Sequence, residues 1–388
     1  EPMTAPTRQM PGRHVDPRRS FWVLGYVAPA IAPLLLALHW LGAPSAILAI
    51  APLVLLFGVA PVLDQLVGRD LRNVPPDAIA QLEADPFYKR LLYGTVAAYA
   101  MGVVAACALA ASPSFSIADQ VLFAIGIGFT HSLIVLVAHE LGHSAASRDQ
   151  HVAQLALMLM AYGHFGVEHN RGHHVKIATP DDPASSRFNE SIYAFALREI
   201  PGTVAGAIGA ERRRLRRRGA GWWSPGNVLL QNWSGSALFA GLLAWAFGWP
   251  VLVFYALHCA TVWFSITMAN YTAHYGLLRR EVDGRPEPCR ADHSWSSSFL
   301  VSNLLFLNLQ RHADHHMHAR RPFQTLAHRG DTPDLPAGIP GLFCLMLVPP
   351  LWFRVMNPRL LAHVGHDMTR INTGPLRESP GTRPVPQT

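Results

Sequence analysis

The stretch HELGH at residues 139–143 sets two imidazoles one helical turn apart, with a glutamate beside the first. Taken alone it fits the zinc-protease pattern H-E-x-x-H, two metal ligands and a general base on one helix face. Three further stretches change the arithmetic: EHNRGHH at 168–174, NYTAHYG at 270–276 and LQRHADHH at 309–316. His169 and His173 repeat the four-residue spacing with His174 added, and His312 and His316 repeat it with His315 added. On a helix, each such pair points the same way. With His139, His143 and His274 the set is nine imidazoles. A zinc protease uses three protein ligands and a water. Nine is too many for one ion of any kind, whereas two ions with four or five ligands each would use them all.

Imidazole suits zinc, copper, iron and nickel alike. The four cysteines, Cys107, Cys259, Cys289 and Cys344, are scattered and form no C-x-x-C pair. Neither a zinc knuckle nor a rubredoxin-type iron site is therefore expected in this chain, and the thiols read as reduced. A membrane setting with open metal positions favours iron and oxygen chemistry over zinc hydrolysis. Neutral rings leave the charge of two divalent ions uncompensated. Glu140, Glu168, Asp182, Glu190, Asp292 and Asp314 are candidates to offset it, by accepting hydrogen bonds from the far ring nitrogens and fixing their tautomers.

The elements that must position these residues are membrane helices. Half of the 388 residues are hydrophobic and only 15% are charged, and the apolar residues come in blocks near the roughly 20 that a bilayer core requires. The blocks are 21–40, 45–66, 91–111, 117–138, 227–247 and 249–271, which predicts six spans in three hairpins. Shorter apolar runs at 152–165, 298–309 and 338–353 read as buried or interfacial. The first block is too long for the hydrophobic part of a signal peptide.

The expected organisation follows in order. A cytoplasmic N-terminal segment covers 1–20, four spans cover 21–143, and a cytoplasmic metal-binding segment covers 144–226. Two spans then cover 227–272, a second cytoplasmic metal-binding segment covers 273–372, and 373–388 is a Pro-rich, disordered tail. Arg13, Arg18 and Arg19 precede the first span, and Arg69, Arg72, Lys89 and Arg90 flank the loop after the second. The links at 112–116 and around Gly248-Trp249 carry no charge. The positive-inside rule then places both termini and all four histidine stretches in the cytoplasm. The net charge of +7 reads as membrane surface, since no nucleic-acid motif accompanies it. Histidines gathered at one end of the spans also argue against a metal carrier, which would string its ligands along the path. A membrane zinc protease would leave six of the nine unemployed.

These stretches resemble the integral-membrane alkane 1-monooxygenases (alkane ω-hydroxylases). HELGH, EHNRGHH, NYTAHYG and LQRHADHH are similar to that family's histidine boxes in order and spacing, and so are YGHF at 162–165, ATPDDPASSRFNESIYAFALREIPG at 178–202, HYGLLR at 274–279, HSW at 293–295 and SNL at 302–304. The resemblance implies an all-α membrane protein with six spans, a di-iron centre ligated by the nine histidines, and O2-dependent hydroxylation of a terminal methyl. It also implies a rubredoxin as electron donor, a rubredoxin reductase upstream, and a place in the bacterial inner membrane. Relatives acting on aromatic methyl groups or acyl chains are the nearest alternative. In one departure, Ala273 stands where the family usually has Glu.

Further expectations attach to single residues. His164 and His293, in family-like stretches, are candidates to support the ligands. Leu55, Leu56, Phe57, Phe129, His131 and Leu133 are candidates for the wall of an apolar substrate channel, with His131 two turns before His139. Asp64, at the end of the second span, reads as a capping or snorkelling group. Arg212, Arg213, Arg214, Arg216, Arg217 and Arg218 form a basic run, and Arg320, Arg321 and Arg329 follow the last box. Such cations suit an anionic lipid surface or an acidic redox partner.

Overall fold

The computed structural model describes residues 14–374. Arg13, most of the expected N-terminal segment and all but the first two residues of the expected tail lie outside the described residues. The described chain is mostly helical, with one antiparallel two-stranded hairpin, β1 (Glu281–Val282) and β2 (Arg285–Pro286).

Five helices are long and apolar enough to cross a membrane: α1 (Phe21–Trp40), α2 (Ser45–Val67), α3 (Pro86–Ala110), α4 (Ile117–Gly142) and, later in the chain, Val251–His274. Between them come α5 (Ser147–Leu159), a helical segment α6 at 164–176, α7 (Ile192–Arg217) and α8 (Val228–Phe247); Val251–His274 is then α9. The expected fifth span, α8, is a helix of 20 residues but is not among those five. Gln231, Asn232, Ser234 and Ser236 occupy its first half, and buried Asn232 returns its Nδ2 to the Val228 carbonyl.

α4 is the central post. Of its apolar window 83% is buried, against 28% for α2 and 33% for α1. It packs on α2, α5 and α9, while α1 packs on α3. Its start is a capping box: Ser116 Oγ accepts from the Asp119 amide, and Asp119 returns a carboxylate oxygen to the Ser116 amide. It breaks stride at Ser132, whose hydroxyl turns back on the Phe129 carbonyl and also meets Ser265 on α9. Such a bond competes with the helical ladder and bends it. The histidines of the first box then close α4 at its far end.

The segment after α9 returns to the same end. It comprises α10 (Leu300–Leu305), α11 (His312–Met317), α12 (Ile339–Met346) and α13 (Pro349–His363). Two buried groups fasten it. Asp64 at the foot of α2 accepts from the Ser302 amide at 2.9 Å and from its hydroxyl, so the expected capping role falls on α10 rather than on Asp64's own helix. Gly338 lies so close to both groups that a Cβ there would strike them. Arg311, 2% exposed, donates to the carbonyls of Leu326, Asp70 and Arg72, tying the last histidine box to the α2–α3 loop.

Candidate metal centre

The nine imidazoles come from four elements and divide into two groups. His139, His143, His169, His174 and His315 hold one potential ligand atom each within 4.8 Å of one another, and His173, His274, His312 and His316 do the same. The rings of the two groups touch: His174 lies 4.6 Å from His316, and His315 5.3 Å from His316, centroid to centroid.

The division does not follow the four-residue spacing everywhere. His139 and His143 stay together, as do His312 and His316. His169 and His173 part, because 169–173 is a π-helical turn. Its hydrogen bonds span five residues rather than four, so His169 aligns with His174, their Nε2 atoms 2.9 Å apart. His173 is turned to the other group.

The nitrogens suit a shared cation. Two imidazoles each about 2.0–2.1 Å from one ion, at octahedral to tetrahedral angles, stand about 2.9–3.4 Å apart. The Nε2–Nε2 separations are 3.2 Å for His139–His143 and 3.3 Å for His174–His315 in the five-histidine group. In the four-histidine group they are 3.1 Å for His274–His312 and 2.9 Å for His312–His316. Burial drives the ring of His143 down to about 4 and that of His312 to about 3, and holds His169, His315 and His316 well below the ordinary range. Neutral rings leave their lone pairs free at neutral pH.

Of the carboxylates expected to support the rings, Asp182 alone bonds one. Its Oδ2 accepts from His173 Nδ1 at 2.9 Å, while Ser185 and the Ala184 amide also donate to it. His173 Nε2 has no protein partner and is the atom left for a metal. Burial opposes a charge on this ring, but the Asp182 carboxylate outweighs it and lifts the ring above the usual histidine range.

The other five candidates are placed differently. Glu140 accepts the Phe323 amide. Glu190 holds Arg198 and the Arg187 amide, Asp292 pairs with Arg370, and Asp314 binds Arg321 and the Ala327 amide. Glu168 is wedged between Gly172 and Gly206, where burial raises it to about 7. All but Glu190 lie beside a histidine in sequence, but none of these carboxylates bonds a cluster ring. His164 stacks edge-on against Tyr162 and Trp263, and His293 accepts the Arg290 amide and faces Glu287. Neither ring stacks on a cluster histidine, although the His293 backbone lies against the His274 ring.

Glu199 went unforeseen. It is 1% exposed and accepts from Thr267 and Asn270 on α9. Its signal was available: Ile192, Phe195, Glu199, Thr203 and Ala207 mark one buried stripe along α7, and a carboxylate on an apolar stripe marks a polar neighbour.

A cavity of about 60 Å³ adjoins the centre, lined almost entirely by apolar atoms. His139, His169 and His312 close one end, and Val135, Leu136, Ile266, Ala269, Ala273 and Trp295 belong to its wall. Ala273 puts only a methyl there. None of the six expected channel residues lines it. The cavity reaches Val135 along α4, short of Leu133 and Phe129. Phe129 packs on Phe57 at 4.9 Å and on Phe343 at 6.4 Å, and His131 Nδ1 bonds His258 at 3.0 Å. Leu56 is buried and Leu55 faces outward.

On the other side, His139, His143, His169 and His174 border an open cleft of about 450 Å³ with Arg171 and Arg320 at its edge. The basic run is partly consumed by the fold: Arg214 binds buried Glu211, Arg212 covers Trp222, and Arg216, Arg217 and Arg218 are exposed. Arg321 and Arg329 are paired with Asp314 and Asp331.

The family profile described as "Fatty acid desaturase" matches residues 119–340, which include all nine histidines. An alkane 1-monooxygenase of Pseudomonas putida is 39% identical over 362 residues, 92% of this chain and 89% of that protein. One from Acinetobacter baylyi is 37% identical over 373 residues, 95% and 91% of the two chains. The hydroxylase component of a Pseudomonas putida xylene/toluene monooxygenase is 29% identical over 226 residues, 58% of this chain and 60% of that one.

Proposed function

Because this chain belongs to the alkane 1-monooxygenase family, within the fatty acid desaturase family of membrane proteins, we propose that it hydroxylates the terminal methyl of n-alkanes. The reaction consumes one alkane, O2, two electrons and two protons, and yields a 1-alkanol and water. Two iron ions, one in each histidine group, would supply oxygen activation when bound. The observation that carries this reading is the convergence of nine imidazoles beside an apolar cavity that three of them line.

The remaining steps belong to the chain's own residues. The cavity walls hold an apolar chain and exclude water. His139, His169 and His312 mark where the methyl must arrive. Asp182 sets the tautomer of His173 by accepting its Nδ1 proton. Thr267 and Asn270, held by Glu199, brace the α9 face that carries His274. The apolar lining suits a hydrocarbon substrate, and an aromatic methyl donor, which the name of the xylene/toluene relative suggests, is the second reading.

We place the histidine end on the cytoplasmic side of the inner membrane, on the strength of the flanking arginines. Electrons would come from a rubredoxin served by its reductase. The open cleft beside His143 and His174, lined also by Arg171 and Arg320, borders the histidines directly and suits such an acidic donor better than the arginine run.

Metal analysis with Mössbauer spectroscopy on the purified chain tests the centre. Two irons per chain are expected, and one zinc per chain would overturn the reading. His312→Ala should lose metal and alkane oxidation together. Product analysis with octane, xylene and a fatty acyl substrate separates the reactions, with 1-octanol the expected product.

A further inference from the structure

On the outer side of α6, away from the histidines, lies a second cleft of about 380 Å³. Arg171, Lys176, Arg187, Arg198 and Arg213 converge on it. Two of these cations are committed elsewhere: Arg198 to Glu190 and the Pro183 and Ser185 carbonyls, and Arg171 through one nitrogen to Glu211. Among the described residues, the side chains of Lys176, Arg187 and Arg213 have no hydrogen bond or ion pair. The nearby carboxylates offset them only in part, Glu168 acting on Lys176 and Glu190 on Arg187. Glu168 lies beneath the floor between Gly172 and Gly206, and exposed Asp181 forms no ion pair.

We propose that this cleft is a binding site for a phosphate-bearing anion. Five cations brought together outnumber the carboxylates around them and repel one another, and a multivalent anion relieves that repulsion. Guanidinium forks match phosphate oxygens in pairs. Arg187 already shows the crowding: burial and neighbouring Arg198 hold it below the ordinary arginine range. α7 contributes Gly202, Gly206 and Gly209 to the lining at helical spacing, with Gly202 packed against Pro183 and Gly206 against Glu168. The volume exceeds what a single inorganic phosphate fills. Next in sequence to Lys176 and Arg198 are two exposed apolar side chains, Val175 and Leu197, 65% and 82% exposed. A phospholipid headgroup meets both demands, with its phosphate among the cations and its glycerol and first acyl carbons on Val175 and Leu197. The site stands on its own residues and is independent of the reaction proposed above.

The test uses the full-length, metal-loaded protein in neutral detergent, titrated calorimetrically with dioctanoyl phosphatidylglycerol and, separately, with inorganic phosphate. R187Q/R213Q should weaken binding about 10- to 100-fold, the scale of two lost charge-assisted bonds. R216Q/R217Q, on exposed arginines of the same helix outside the cleft, should leave it within about twofold. A205E places a carboxylate in the cleft from an exposed helical position and gives the same loss should the double variant fail to fold, with metal content as the folding control. Binding of the lipid alone assigns the site to a headgroup. Binding of inorganic phosphate with the same sensitivity to the variants assigns it to a soluble phosphate. Binding of neither ligand, or equal losses in R216Q/R217Q and the cleft variants, overturns the proposal.

Discussion

Asp182→Asn separates the two histidine groups experimentally. Asp182 is 1% exposed and its Oδ2 stands 2.9 Å from His173 Nδ1. Asparagine preserves the shape but removes the charge from that bond. A hydrogen bond to a charged group contributes about 1.5–3 kcal/mol, which is about 10- to 100-fold in affinity. His173 belongs to the four-histidine group, so one of two bound metals should weaken by that factor while the five-histidine position keeps its affinity. The pH dependence supplies a second signature. Asp182 raises the His173 pKa, so in the metal-free protein a proton competes with the metal, and loading of that position weakens as pH falls through the raised value. Without the carboxylate that decline moves to lower pH, and the plateau above it is lower. Competitive iron titration against a chelator across pH 5–8 reads both effects. Equal loss at both positions, or an unshifted pH profile, refutes the assignment of Asp182 to His173 alone.

Other perturbations follow from the same contacts. Asp292→Asn should leave metal content unchanged, because Asp292 answers to Arg370 rather than to a cluster ring; a measured loss of iron would contradict this. Ala269→Leu narrows the apolar cavity and should depress kcat/KM for longer alkanes relative to shorter ones by roughly 10-fold or more, at about 1–3 kcal/mol per methylene-sized change. Burial raises Glu199 to about 7, so its folded form holds a proton that the unfolded form releases near the ordinary carboxylate value. Metal-free protein should therefore lose stability as pH rises from about 4.5 to about 7, and Glu199→Gln should flatten that fall, as chemical denaturation in detergent would reveal. Gly338→Ala forces a Cβ into Asp64 and Ser302 and should lower stability by about 1–3 kcal/mol, measured in the same way.

Much of the site was legible before any coordinates. Nine histidines in four stretches, too many for one ion, pointed to two metals, and apolar blocks of bilayer length placed those stretches at helix ends. Where helical periodicity was regular, pairing followed it, as for His139 with His143 and His312 with His316. It failed at His169 and His173, where a π turn shifts the repeat by one residue. Proximity in sequence was a poor guide to support for the ligands. Glu140 and Asp314 sit inside a box and Glu190 and Asp292 outside them, yet all four answer to a backbone amide or an arginine, whereas Glu199, 25 residues beyond His174 in the chain, reaches α9. The six expected channel positions lie away from the cavity beside the histidines, whose lining on α4 begins at Val135, two residues beyond Leu133.

Composition and spacing determined the membrane class, the metal-binding chemistry and the identity of the nine rings, because these depend on residue type and on one-dimensional intervals. The partition into five and four, the single carboxylate that holds a ring, the wall of the apolar cavity and the cationic cleft behind α6 were decided only in three dimensions. Each depends on which faces of distant helices meet, and that is set by buried contacts such as Asp64 with Ser302 and Arg311 with the α2–α3 loop, whose partners lie more than two hundred residues apart in the chain.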